Sequence, residues 1–340
     1  MQILITENEN FSRVALERLA AMGQVRSRDL RTREELLAEA AQGTEVLWVR
    51  LRHYIGREAM EAAPGLQAIA TPTTGLTHVD LEEAARRGIA VISLKGETEF
   101  LKEIRATAEH TIGLMLALLR RLPGAARHVV EGGWNRDLFR GHELHGKTVG
   151  VVGYGRLGRI VARYLDAFGC RVLVSERKDW EGSLEPPAEL VPLEELLSHS
   201  DLVSLHVSLD STTTGLFDRA CFGRMKSGAW FINTSRGELV DEAALLGALR
   251  EGKLAGAAVD VLAAEHRLGE AGHPLIEYAR EGGNIVITPH TGGCTYESMA
   301  KTEEFLALRL ETWLSARALE KGTLCAESQA LQAETGAAKI

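Results

Sequence analysis

The sequence predicts an α/β protein built from two doubly wound parallel-sheet domains. Three observations carry this. The first hundred residues alternate β-rich and helical segments. A Gly-x-Gly-x-x-Gly turn, Gly153, Gly155 and Gly158, arrives only in mid-chain. The same alternation then resumes behind it. A dinucleotide-binding unit that begins at such a turn implies another domain before it. The expected division is 1–105 with 296–340, and 106–295.

In the first domain, Gln2 to Thr6 reads as a strand and Asn10 to Met22 as an amphipathic helix. Thr32 and Glu35 have the spacing of a capping box, opening a helix that ends near Gln42-Gly43. Glu45 to Arg50 is β-rich, Arg57 to Ala63 helical, and Pro64-Gly65 a stop. Leu66 to Ala70 is the next strand. Asp80 and Glu83 cap a short helix that ends at Gly88, and Ile89 to Ser93 closes the series. Ala106 to Arg121 is a long helix with apolar residues at 112, 115, 116 and 119, followed closely by Pro123-Gly124. It reads as the passage between domains.

The second domain alternates from residue 148. Strands are expected over 148–153, 171–176, 201–207, 229–234, 256–261 and 284–288, and helices over 156–168, 193–198, 219–225 and 242–251. Parallel strands need right-handed crossovers, so this too is a doubly wound sheet. Glu297 to Arg317 can return the chain to the first domain. The tail after Leu319 is polar and Ala-rich and receives no role.

Composition narrows the function. A chain of 340 residues with 45% hydrophobic content fits two ordinary globular domains. The net charge of -8 argues against nucleic acid or an anionic membrane as partner. Cys170, Cys221, Cys294 and Cys325 are scattered and form no zinc-type pair, so no metal is expected and a reducing cytoplasm fits. The N-terminus lacks a signal-peptide pattern. The most apolar stretch, Thr111 to Leu119, is too short to span a bilayer.

Each turn glycine has a mechanical task. Gly153 permits the tight turn, Gly155 lets a pyrophosphate approach the backbone, and Gly158 lets helix and strand pack closely. The helix start and its dipole then favour phosphate. Glu176 ends the next strand, about 20 residues beyond the turn, where an acid meets the ribose hydroxyls of NAD and repels the 2′-phosphate of NADP. Arg177 and Lys178 follow directly; they read as solvated charges before they read as a phosphate grip.

Three polar residues follow late strands, where open α/β sheets bind ligands. They are Arg236, Glu265 and His290. Oxidising a 2-hydroxy acid needs a group that takes the hydroxyl proton, and an imidazole suits this near neutral pH. A carboxylate on its far nitrogen fixes the tautomer, and an arginine can grip the substrate carboxylate bidentately. Singly, each would read as a packed, capping or solvated residue.

At these residues the chain resembles the D-isomer-specific 2-hydroxyacid dehydrogenases. The similarity runs over about 45–300. It is dense in Gly146-Lys-Thr-Val-Gly-Val-Val-Gly-Tyr-Gly-Arg-Leu-Gly, Asp201-Leu-Val-Ser-Leu-His, the run from Met225 to Glu242, and Ile287-Thr-Pro-His-Thr-Gly-Gly. The resemblance implies a flavodoxin-like substrate domain and a Rossmann cofactor domain. It assigns Arg236, Glu265 and His290 as substrate arginine, orienting acid and catalytic acid/base. It implies NAD contacts from Thr107, Gly153, Gly155, Arg156, Leu157, Gly158, Glu176, His206, Thr234, Arg236, Asp260, His290, Gly292 and Gly293. Substrate contacts are implied for Arg50, Thr73, Thr74 and Gly75, together with Arg236 and His290. A homodimer through the cofactor domains is implied as well.

Some positions depart from the family's pattern. His266 follows Glu265 where proline is usual. Thr77 and His78 replace an Asp-Asn pair, and Ser208 stands where proline is common. Arg52 is less expected than Arg50 and reads as a surface cation before it reads as a binder of a distal acidic group. Proteins of this type also include oxidisers of formate or phosphite and NAD(H)-sensing corepressors. Glu265 disfavours the Gln–His arrangement of formate enzymes, and no lysine stands near Thr74 for phosphite chemistry.

Overall fold

The computed structural model describes residues 1–185, 187–265 and 272–336, with side chains described through 319. The chain divides into two compact units, Met1–Glu97 with Tyr296–Ile340, and Thr98–Thr295.

The first unit runs β1 (Gln2–Ile5), α1 (Arg13–Met22), β2 (Gln24–Ser27), α2 (Arg33–Ala40), β3 (Val46–Trp48), α3 (Arg57–Ala62), β4 (Ala68–Ala70), α4 (Leu81–Arg86) and β5 (Ala90–Ile92). Its five strands lie in the order β2-β1-β3-β4-β5, all parallel, which is the flavodoxin-like order. β3 and β4 are wholly buried and carry no charge, as strands covered on both faces must be. Leu4, Leu47 and Ile69 meet Leu36, Met60 and Val79 in the core. Thr32 and Glu35 form the full capping box at the start of α2, and Asp80 caps α4.

The second unit opens with α5 (Thr98–Leu101), α6 (Ala106–Leu119) and α7 (Leu122–Val130). The expected end of α6 at Arg121 is corrected. Arg121 adopts φ 53° and starts a new helix, with Pro123 inside its first turn. A proline there gives up only an amide that has no helical partner. The sheet follows as β6 (Thr148–Val152), α8 (Arg156–Ala167), β7 (Arg171–Ser175), β8 (Glu189–Leu190), α9 (Leu193–His199), β9 (Leu202–Leu205), α10 (Arg219–Arg224), β10 (Ala229–Asn233), α11 (Glu242–Arg250), β11 (Leu254–Val259), α12 (Pro274–Arg280) and β12 (Ile285–Ile287). The strand order is β12-β11-β10-β9-β6-β7-β8, all parallel. It reverses at β6, so a ligand crevice is expected beyond the carboxyl ends of β6 and its neighbours. Phe217, Phe222 and Phe231 pack one sheet face, and Val151, Leu165 and Ile232 the other.

β11 starts and stops two residues earlier than its expected span of 256–261. Its register against β10 shifts at Ala229/Trp230, and Asp260 then leaves the ladder. The last described element is α13 (Tyr296–Gly336), which packs on α1 in the first unit.

Candidate active site

The glycine turn bends off β6. Gly153 takes φ 93°, a conformation that favours glycine. A Cβ on Gly158 would lie 2.1 Å from the carbonyl oxygen of Gly153, so helix and strand meet there as backbone on backbone. A Cβ on Gly155 would meet nothing within 4 Å. That open approach lies at the start of α8, where Gly155 is the N-cap and no side chain caps the first-turn amides. Uncapped helical N–H groups beside an open backbone suit a pyrophosphate. Glu176 is drawn against the same turn, accepting the Tyr154 amide and, at 3.2 Å, that of Arg177. Arg177 pairs with Asp179 at the surface. His206 adjoins the turn after β9: its Nε2 contacts Ser204 Oγ at 2.8 Å, and its buried Nδ1 has no hydrogen-bond partner. Burial pushes the His206 pKa down to about 4, so the ring is neutral at ordinary pH. The residues fit a dinucleotide.

Other expected cofactor residues have visible tasks within the unit. The Arg156 guanidinium donates to the carbonyls of Leu101 and Ile104 at 3.1 and 2.6 Å. The Thr107 carbonyl accepts Thr111 Oγ, whose oxygen also lies 2.8 Å from Thr234 Oγ. Leu157 is partly buried near the start of α8. Gly293 is exposed beside Gly292, and a Cβ on Gly292 would come within 3.2 Å of Thr107.

Arg236, Glu265 and His290 follow the adjacent strands β10, β11 and β12. Nδ1 of His290 lies 2.8 Å from Oε2 of Glu265. Burial pulls the Arg236 pKa down, and the negative charges of Glu265 and Glu238 oppose that. The three therefore share one neighbourhood. The Arg236 backbone is held by Asn233, whose Nδ2 donates to its carbonyl at 2.9 Å.

Asp260 organises the loop that carries His290. It is buried, and its carboxylate accepts Thr288 Oγ at 2.6 Å and the Thr291 and Gly292 amides at 2.8 Å each. His110 Nε2 stands 3.2 Å from the same carboxylate. Burial works against the Asp260 charge, but these bonds outweigh it and hold its carboxyl below the usual range. Sequence reasoning overlooked His110, and also Glu242 and His273 beneath Glu265. Glu242 closes the Met225–Glu242 run, but nothing in that run shows that it reaches Ala263 and His273; His110 and His273 belong to no such run, and only the fold shows what they touch.

In the first unit, Thr73, Thr74 and Gly75 follow β4. Thr73 Oγ donates to the Gly75 carbonyl at 2.8 Å, and His78 Nε2 lies 2.9 Å from Thr71 Oγ. His78 thus braces this loop from within. The Arg50 guanidinium binds Glu303, a fully buried residue of α13, and the Glu9 carbonyl. Arg52 pairs with Asp29.

The family model for the D-isomer-specific 2-hydroxyacid dehydrogenase NAD-binding domain matches residues 112–292. The chain belongs to this family.

Among curated members, the chain is 37% identical over 286 residues to a glyoxylate reductase of Thermofilum pendens, covering 82% of this chain and 80% of that one. It is 36% identical over 295 residues to the D-3-phosphoglycerate dehydrogenase of Mycobacterium bovis, covering 84% of this chain but only 52% of the longer relative. A solved D-lactate dehydrogenase from Aquifex aeolicus, complexed with NAD and lactic acid, superposes with a TM-score of 0.78 at 27% identity, covering 93% of this chain and 96% of that one. Residues 112–292 therefore correspond to the family's NAD-binding domain. Among the described residues no metal-ligating cluster occurs, and no helix is long and apolar enough to cross a membrane. His266, the departure after Glu265, lies outside the described residues.

Proposed function

We propose that this member of the family is an NAD-dependent oxidoreductase that interconverts a small D-2-hydroxy acid and its 2-oxo acid, with His290 as acid/base. The observation that carries this is the 2.8 Å bond between Glu265 and Nδ1 of His290. A carboxylate on Nδ1 keeps a proton there, so Nε2 is the atom that exchanges a proton with the substrate oxygen. The same carboxylate stabilises the imidazolium formed when the hydroxy acid is oxidised. Arg236 grips the substrate carboxylate and polarises the carbonyl; even lowered by burial, a guanidinium remains charged at neutral pH. The Thr73–Gly75 loop supplies further carboxylate contacts. NAD, when bound by the Gly153–Gly158 turn and Glu176, supplies the carrier for the hydride at C2.

Arg50 and Arg52 bear on the choice of acid. Each guanidinium already faces an internal carboxylate, Glu303 or Asp29. This favours substrates without a second anionic group, such as glyoxylate, over phosphate-bearing ones.

A screen of 2-oxo acids with NADH, followed at the nicotinamide absorbance, tests the reading. Turnover is expected for small uncharged side chains, with phosphorylated acids poorer. His290→Ala should lower kcat at least about 100-fold, the scale of general acid–base catalysis, while NADH still binds. Near-normal turnover by that variant would reject the assigned role. Tight NADH binding without turnover of any acid would point to an NAD(H)-sensing regulator.

A further inference from the structure

We propose that Glu242 and His273 form a second carboxylate–imidazole pair that positions Glu265 behind His290. The inference rests on reading Glu265 and His290 as the catalytic dyad, and it concerns how that dyad is aimed.

Glu242 is the first residue of α11. Its Oε1 accepts the Ala263 amide at 2.9 Å, and its Oε2 lies 3.0 Å from Nε2 of His273. Both side chains are largely buried, with 19% of Glu242 and 11% of His273 exposed. Ala263 stands two residues before Glu265, and Ala264 between them takes a left-handed φ of 53°. A non-glycine residue keeps that conformation only where its surroundings enforce it. Two contacts do so. On one side the Leu262–Ala263 backbone presses on Gly237, where a Cβ would fall 2.0 Å from the Leu262 carbonyl carbon. On the other side the Glu242 carboxylate holds the Ala263 amide. The direction in which Glu265 leaves the backbone is therefore set by a carboxylate that itself bonds to Ala263 and His273.

His273 makes this pair sensitive to chemistry, not only to shape. It caps α12, with Nδ1 accepting the Leu275 amide at 3.3 Å. Nδ1 is thus unprotonated, and Nε2 must carry the proton it donates to Glu242. A glutamine at 242 fills the same space but cannot keep both bonds. In either amide orientation its NH2 group confronts a donor, the Ala263 N–H or the His273 Nε2–H. Flipping the His273 tautomer would only move the conflict to the Leu275 amide.

The test is Glu242→Gln, read in two ways. The first readout needs no turnover: in protein labelled with 15N-histidine, the His290 Nδ1–H held by Glu265 gives a downfield proton resonance, assigned by its loss in Glu265→Gln. It should vanish or broaden in Glu242→Gln. The second is a double-mutant cycle on glyoxylate reduction by NADH. Glu242→Gln alone should lower kcat about tenfold with NADH affinity within twofold; added to Glu265→Gln it should change kcat less than twofold. His273→Gln, which can still donate to Glu242, should keep most activity, whereas His273→Ala should reproduce the loss and serves if Glu242→Gln does not fold. An unchanged His290 resonance, or fully additive losses in the cycle, would overturn the proposal. A wild-type protein that reduces no 2-oxo acid, yet loses the resonance in Glu242→Gln, would sink the proposed function and leave the positioning role standing.

Discussion

The His290 amide donates to the Asp260 carbonyl at 2.8 Å, and His290 sits there with φ 53°. A left-handed non-glycine residue costs roughly 1–2 kcal/mol, so something must hold it. The Asp260 carboxylate does, by collecting the Thr291 and Gly292 amides and Thr288 Oγ. Asp260→Asn should fail at this task, because its NH2 group must face one of those donors. An unsatisfied buried group costs about 1–3 kcal/mol. A melting temperature several degrees lower and a kcat reduced at least tenfold are expected from calorimetry and steady-state kinetics. A variant matching wild type in both would show that the loop holds itself.

The glycines of the turn separate folding from binding. At Gly155 the backbone φ is -70° and a Cβ meets nothing within 4 Å. Gly155→Ala should therefore fold normally, within about 0.5 kcal/mol of wild type. It should nevertheless weaken NADH at least tenfold, because the methyl group occupies the approach to the backbone. Gly158→Ala places its Cβ 2.1 Å from the Gly153 oxygen and should destabilise the unit itself. Fluorescence titration with NADH beside thermal melts distinguishes the two. Equal NADH affinity in Gly155→Ala would place the pyrophosphate elsewhere.

What the sequence disclosed followed periodicity and motif. Strands buried on both faces, such as β6 and β10, announce themselves as apolar runs, and the Thr32–Glu35 cap was readable because its partners lie three residues apart. Arg236 and Glu265 were found because each follows such a strand, and His290 because it follows the apolar run of β12 at the sheet edge. Less visible was the edge strand β2: Gln24-Val-Arg-Ser pairs with β1 and carries one apolar residue. α7 and α12 were overlooked for another reason. Pro123 stands just past the expected end of α6 and no element is expected over 274–280, yet both Pro123 and Pro274 occupy first turns, where proline is tolerated. Glu242 sits 21 residues from Ala263 and 31 from His273, a separation that no local spacing rule spans.

His206 should make stability depend on acid. Burial lowers its pKa from 6.5 to about 4. Between those values the unfolded chain binds a proton that the folded chain refuses, so stability falls as pH drops through this window. Below about 4 the folded ring protonates as well, and the loss levels off. The contribution is on the order of 3 kcal/mol. Urea unfolding between pH 4 and 7 should show it, and His206→Gln should flatten that part of the profile. A slope unaltered by the substitution would assign the acid sensitivity to other groups.

The second unit carries an apolar surface suited to another copy of the chain. Leu122, Val129 and Val130 of α7, with Trp134 and Leu138 beyond it, are all exposed, Val130 at 87% and Trp134 at 90%. Single exposed hydrophobes are ordinary, but five within seventeen residues of one helix-and-turn segment favour an interface. A homodimer seated on this face of the cofactor domain is therefore expected. An aromatic side chain as open as Trp134 is also the kind that anchors such contacts. Trp134→Glu with Val130→Glu should convert a dimer into a monomer, as measured by sedimentation equilibrium. Its NADH affinity should change little, since neither residue touches the glycine turn, Glu176 or His206. A wild-type chain that sediments as a monomer would remove the second copy from this surface. A dimer that survives both glutamates would move the contact to another face.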